Sequence, residues 1–256
     1  MGKVKIIVIA LVTLIGISSS AYAEVALLQS DDFVGFTFWL ASIACLASTA
    51  FFFLEHGSVA PAWKTSIAVA GIVTGIAFIH SMYIRNIWGG TGDSPTVYRY
   101  IDWLITMPLL ATEFYLILST VRKISSIIFW KLLIGTLVMV LGGYAGEAGY
   151  ISSFLGFVIW MVGWLYIFYE IFAGEAGKLY DKSANMAVVK AFETMRMILT
   201  IGWAIYPLGY VFGYFTGGVD SNTLNAIYNF ADFINKIAFG LVIWVAATTN
   251  TSGSRR

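Results

Sequence analysis

From Phe33 onward the chain repeats one pattern, a long apolar run followed by a short polar break. The runs are Phe33–Phe53, Trp63–Trp88, Thr96–Ser119, Ser126–Gly143, Ile151–Phe172, Val188–Phe215 and Leu224–Thr248. Each is close to or above the roughly 20 residues that an α-helix needs to cross a hydrocarbon core of about 30 Å. A lone spanning segment must satisfy its backbone within itself, so each run predicts a helix. The pattern therefore predicts an all-α membrane protein, a bundle of seven transmembrane helices. Gly-rich breaks such as Gly89-Gly90-Thr91-Gly92 and Gly217-Gly218 read as tight turns, and no internal repeat is visible.

Ahead of the first run, Lys3 and Lys5 precede the apolar stretch Ile6–Ile17 and the small-x-small triplet Ala21-Tyr22-Ala23. This is the layout of a cleavable signal peptide over 1–23, leaving 24–256 as the seven-helix domain with its new N-terminus outside. The positions of Lys and Arg agree. Lys64, Arg122, Lys123, Lys131, Lys178, Lys182, Lys190, Arg196, Arg255 and Arg256 fall on one side, which is thereby read as cytoplasmic, while the other keeps only Arg85 and Arg99 and collects Asp31, Asp32, Asp93, Glu147 and Asp220. The expected location is a bacterial inner membrane, crossed many times, with the C-terminus in the cytoplasm.

Composition narrows the function classes. The chain is 59% hydrophobic and 11% charged, and its formal charge of +1 gives no basic stripe for nucleic acid. Cys45 is the single cysteine, which excludes an intrachain disulfide and any Cys-based metal spacing. No metal is expected.

The charges inside the runs carry the chemistry. Lys236 lies within the seventh run, four residues after Asp232 on the same helix face. A lysine at mid-membrane costs about 2.5 to 3.5 kcal/mol on insertion scales, and so points to function. An amine in a dry pocket is also the group that condenses with an aldehyde to give a Schiff base. In the third run Arg99, Asp102, Thr106 and Glu113 share one face, and the 11 residues from Asp102 to Glu113 span about 16 Å. One acid above and one below a buried amine is the minimum layout for directional proton movement. His80 is a third ionisable feature, in position to pair with Asp102 from the neighbouring helix. On the sixth run Trp203, Tyr206, Pro207 and Tyr210 share a face, and Pro207 removes a backbone hydrogen bond there and kinks the helix. With Trp103 and Trp164 they form the sides of a flat slot suited to a long conjugated ligand.

Taken together, Arg99-x-x-Asp102-Trp103-x-x-Thr106 with Glu113, Trp203-x-x-Tyr206-Pro207, and Asp232-x-x-x-Lys236 resemble the microbial rhodopsins. The resemblance extends over the whole chain after the leader. It is closer to the bacterial proteorhodopsins, through His80, the leader and a glutamate at 113. It implies a light-driven outward proton pump, not an enzyme. Lys236 would carry all-trans-retinal as a protonated Schiff base on the seventh helix. Asp102 would be proton acceptor and counterion, Asp232 the second counterion and Arg99 the nearby cation. Glu113 would be the cytoplasmic donor, and His80 would hydrogen-bond Asp102. Trp103, Thr106, Trp164, Trp203, Tyr206, Pro207 and Tyr210 would line the retinal, and Leu110 matches the position where leucine accompanies green absorption.

Within that family a chloride pump would lack the acid at 102, and sensory forms generally lack a carboxylate at 113. Two departures stand out. The stretch from Gly217 to Asn225 offers only Asp220 where halobacterial pumps keep a pair of release glutamates, and Tyr210 replaces a tryptophan. The resemblance further implies a homo-oligomer of five or six protomers, with Trp39 reaching the histidine of a neighbouring copy.

Overall fold

The computed structural model describes residues 28–92, 96–180 and 185–253; the expected leader lies outside them. The described residues form helices and no strand. The helices are α1 (Phe33–Glu55), α2 (Lys64–Thr91), α3 (Tyr100–Ser119), α4 (Ile127–Glu147), α5 (Ser153–Phe172), a short α6 (Glu175–Tyr180), α7 (Met186–Met197), α8 (Ile205–Tyr210) and α9 (Ser221–Gly253). They build seven segments long and apolar enough to cross a membrane, which makes the chain a multi-pass membrane protein.

Local chemistry sets the helix ends. Asp32 accepts from Gly35 N at 2.7 Å to cap α1, and Ser152 and Asn185 cap α5 and α7 in the same way. Gly92 closes α2 in the left-handed conformation, φ 67°. Asp220 accepts from Thr223 N at 3.0 Å, which starts α9 three residues before the apolar pattern begins.

The helices pack into one bundle. α1 packs on α2 and α4 on α5; α3 lies against α2 and α4, and α9 joins α1, α2 and α7. In the third segment 67% of the most apolar window is buried, against 33–44% in the other six, so α3 is the central element. The segment that carries Asp102 and Glu113 is thus the one most shielded from lipid. Around the outside Ile134, Val162, Ile201, Leu208 and Val245 are exposed, as an apolar solvent demands.

Small residues allow the closest packing, between α4 and α5. A Cβ built on Gly163 would meet the Met139 backbone at 2.8 Å, so only glycine permits this approach. These contacts explain why α4 runs on through Gly142, Gly143 and Gly146 to Glu147, past the Gly143 boundary expected from sequence.

The sixth segment is irregular, and Pro207 is one cause. With no N–H at 207 to reach it, the Trp203 carbonyl accepts from Tyr206 N at 3.3 Å, a tighter turn. That removes the usual donor for the Gly202 carbonyl, and the preceding turn, Ile198–Gly202, widens to π geometry with Trp203 N on the Ile198 carbonyl at 3.3 Å. A second π turn follows at Val211–Phe215. The expected kink is therefore spread over a tight turn flanked by two wide ones.

Candidate functional site

At the centre of the bundle, Lys236 of α9 is 3% exposed and its Nζ is paired directly with Asp102 Oδ2 of α3. Asp232, one turn earlier on α9, places Oδ1 at 3.7 Å from the same nitrogen. Arg99, one turn before Asp102, donates from Nη1 to Asp232 Oδ2 at 3.4 Å. Two cations and two carboxylates thus form a buried set with no net charge. Neutrality of the set is what makes its burial tolerable, since any one of these charges alone would go uncompensated.

Hydrogen bonds fix each member. Asp232 Oδ1 accepts from Trp103 Nε1 at 3.1 Å and from Tyr206 OH at 2.8 Å. Arg99 Nη2 donates to Asn229 Oδ1 at 2.8 Å, to Asn225 Oδ1 at 2.9 Å and to the Asn225 carbonyl at 3.2 Å. Asn229 in turn donates to Thr37 Oγ1 on α1 at 2.9 Å. Asn235 Nδ2 donates at 3.0 Å to the Gly202 carbonyl that the Pro207 distortion left without its helical donor. Asn225, Asn229 and Asn235 escaped the sequence reading. Their only signal was recurrence on the α9 face of Asp232 and Lys236, at spacings of 4, 3 and 7.

Glu113 lies three turns along α3 from Asp102, wholly buried, with neither carboxyl oxygen hydrogen-bonded. Ser66 of α2 is the polar group facing it, outside hydrogen-bonding geometry. Phe114 continues the helix into a cluster with Phe192 and Phe239, ring centroids at 5.0 and 5.9 Å, which closes this end of the bundle. Glu113 is thus held apart from the Lys236 cluster on the side opposite Arg99.

His80 is buried on α2, but the expected bond to Asp102 is not made. His80 Nε2 has no partner, nor has Asp102 Oδ1, and the Asp102 oxygen facing the site is instead committed to Lys236. Thr106 Oγ1 bonds back to the Asp102 carbonyl at 3.1 Å and does not reach the carboxylate. Trp39 is 38% exposed, with the Arg85 guanidinium 4.7 Å from its ring centroid.

The aromatic side chains expected to flank the ligand gather in one buried cluster. Trp103 meets Tyr206 edge-on at 5.1 Å; Trp203, Pro207 and Tyr210 are buried on the opposite helix face, and Leu110 and Thr106 are buried on α3. Trp160, which the sequence reading passed over, is more deeply buried than Trp164, and it contacts Trp103 at 6.2 Å and Tyr210 at 6.1 Å. Trp164 is only partly buried and its Nε1 is unpaired. Among the described residues no group of His, Cys, Asp or Glu is placed to hold a metal ion.

A buried amine on the seventh helix, held between two carboxylates beside an aromatic cluster, defines the class of the microbial rhodopsins. Residues 32–250 match the family described as bacteriorhodopsin-like protein. The chain belongs to that family, as a proteorhodopsin-type member. It is 52% identical over 228 residues to the green-light absorbing proteorhodopsin of Gamma-proteobacterium EBAC31A08, covering 89% of this chain and 91% of that one. To the blue-light absorbing proteorhodopsin of Gamma-proteobacterium Hot 75m4 it is 51% identical over 229 residues, again with 89% and 91% covered. The crystal structure of the blue light-absorbing proteorhodopsin from Med12 superposes with TM-score 0.74 at 51% identity, over 86% of this chain and all of that one. That of Exiguobacterium sibiricum rhodopsin gives 0.75 at 34% identity, over 86% and 97%.

Proposed function

We propose that the chain is a light-driven outward proton pump that uses all-trans-retinal bound covalently to Lys236. The carrying observation is the arrangement on α3: Asp102 in contact with the Lys236 nitrogen, and Glu113 buried about three turns away toward the opposite face. The residues fit the chromophore. The amine is almost fully buried, the aromatic side chains Trp103, Trp203, Tyr206 and Tyr210 are buried in the same core, and Asp102 retains an unpaired buried oxygen. Bound there, retinal supplies absorption of visible light and an isomerisation that reorients the Lys236 nitrogen; Leu110 in the slot supports a green maximum.

Asp102 receives the proton from the nitrogen through Oδ2, already in contact. Its move to neutrality removes the partner that held Lys236, while Asp232 keeps its ties to Arg99, Trp103 and Tyr206 and remains the fixed counter-charge. Glu113 returns a proton to the nitrogen from the other side. A carboxylate ionised at that dry position would have no hydrogen bond to offset its desolvation, which drives its prompt reloading from the cytoplasm. His80, buried on the neighbouring helix with a free Nε2, is the group we assign to adjusting Asp102. The charge distribution along the chain supports a cytoplasmic C-terminus in a bacterial inner membrane. The exposure of Trp39 supports a ring of five or six copies through Trp39 and His80, for which Trp39→Ala and His80→Ala on a native gel are the test.

The functional test is illumination of an unbuffered suspension of bacteria expressing the chain, with and without added all-trans-retinal and a protonophore. Retinal-dependent acidification abolished by the protonophore is expected. Coloured cells with no pH change would favour a photosensor, and colour surviving Lys236→Ala would sink the covalent assignment.

A further inference from the structure

The exit of the proton has no owner in the pump, and Asp220, the one acid between Gly217 and Asn225, is badly placed for it. Asp220 is exposed and committed to the start of α9, accepting from Asn222 N and Thr223 N at 3.0 Å and from Thr223 Oγ1 at 2.6 Å. Those bonds hold its carboxyl below the usual range. Asp32 is likewise engaged, capping α1 and accepting from Trp88 Nε1 at 2.9 Å.

Glu147, the last residue of α4, is different. One carboxyl oxygen accepts from Tyr100 OH and the other from Tyr214 OH, both at 2.8 Å. The two tyrosines lie in unlike surroundings: Tyr100 is 1% exposed and Tyr214 42%. The carboxylate therefore bridges the buried interior and the surface in a single residue. The inner end reaches the site. Tyr100 follows Arg99 in the chain, and its ring lies edge-on to Trp103 at 5.1 Å, whose Nε1 bonds Asp232. Space for this phenol is reserved by Gly143, where a Cβ would meet Tyr100 OH at 2.7 Å.

We propose that Glu147 is the last protein group to carry the pumped proton before it leaves on the extracellular side. The proposal rests on the pump reading above. The proton that Asp102 has taken is passed outward; Tyr100 gives its phenolic proton to the Glu147 carboxylate and regains one from within. The carboxyl so formed then loses its proton to the medium beside Tyr214, restoring the carboxylate.

The test uses the retinal-loaded protein in lipid nanodiscs, a flash, a soluble pH-indicating dye for release, and time-resolved infrared spectroscopy in the carbonyl region of protonated carboxyl groups. Wild type should show a transient carboxyl band that rises before the dye responds. Glu147→Gln, whose amide oxygen still accepts a tyrosine hydrogen bond, should lose that band and slow release by on the order of 10²-fold, the contribution of a positioned proton-transfer group. Asp220→Asn should release at the wild-type rate. Release at the wild-type rate in Glu147→Gln with the band retained would overturn the proposal. Should Glu147→Gln not form pigment, Glu147→Asp decides: a shifted band supports the assignment and an unshifted one overturns it. A wild-type protein that releases no proton at all overturns the pump reading itself, a result distinct from every outcome in the variants.

Discussion

The distortion in the sixth segment makes Asn235 a test of how this bundle offsets a proline. Pro207 deprives the Trp203 carbonyl of its donor; Tyr206 N turns to it, and the Gly202 carbonyl falls to Asn235 Nδ2 at 3.0 Å. Asn235 is 5% exposed and also donates to Tyr206 OH at 3.4 Å. Leaving a buried acceptor unpaired costs about 1–3 kcal/mol. Interhelical hydrogen bonds in membranes average only about 0.6 kcal/mol because the unfolded state in lipid finds other partners, with a maximum near 1.7. The lower scale governs ordinary side-chain pairs. A backbone carbonyl already displaced from its ladder has fewer alternatives in the folded bundle, so Asn235→Ala should cost about 1–2 kcal/mol. With Pro207→Ala in place, residue 207 regains an N–H for the Trp203 carbonyl and frees Tyr206 N for Gly202. Asn235→Ala should then cost about 1 kcal/mol less, a coupling within the range found for residues sharing one network. The assay is unfolding in sodium dodecyl sulfate followed by far-ultraviolet circular dichroism, for the four proteins of the cycle. An equal cost of Asn235→Ala with and without Pro207 would refute the account.

Four further outcomes are expected. Glu113→Gln should slow recovery of the pigment after a flash by on the order of 10²-fold in transient absorption, with formation of the early states unaltered; unaltered recovery would remove Glu113 as donor. Gly163→Leu should destabilise the α4–α5 pair by about 1–3 kcal/mol in the same detergent titration, because its side chain would enter the Met139 backbone. Arg196 donates from Nε to the Ile171 carbonyl at 2.8 Å and lies 4.3–4.8 Å from the centroids of Phe172, Tyr180 and Phe192, so Arg196→Gln should speed amide exchange in α6 and α7 without shifting the absorption maximum. Asp220 has a folded-state pKa below the ordinary carboxylate value, so its cap is complete above pH of about 4 and weakens as pH falls through that lower value; Asp220→Asn should flatten this acid limb of a thermal-stability profile.

What could be read from the chain alone, and what could not, divides by the range of the interaction. The seven runs were visible because a bilayer imposes one length on every span, and the charges on α3 and α9 were visible because a lone ionised group in lipid is too costly to be incidental. Helix periodicity places Asp232 one turn before Lys236 and Asp102 three turns before Glu113, both on the Arg99 side, as the bundle has them. Contacts between helices left weaker traces. Asn225 and Asn229 hold Arg99, yet an asparagine in an apolar run carries no penalty large enough to announce a partner. Trp160 and Trp164 lie one turn apart on the same face of α5; which of them meets Trp103 depends on the level at which that helix is set in the bundle, and the glycines packed against α4 fix it. The pairing of His80 with Asp102 rests on the same kind of inference, and it is not made although His80 Nε2 and Asp102 Oδ1 are both unpaired, because spacing along two helices does not fix the orientation of either side chain. Pro207 combined the two cases: its identity foretold a broken hydrogen bond, while the residue that repairs it, Asn235, lies 28 positions on in a different helix. The local cause was legible and the distant compensation was not, because a missing donor is a property of one residue and its replacement is a property of the packed bundle.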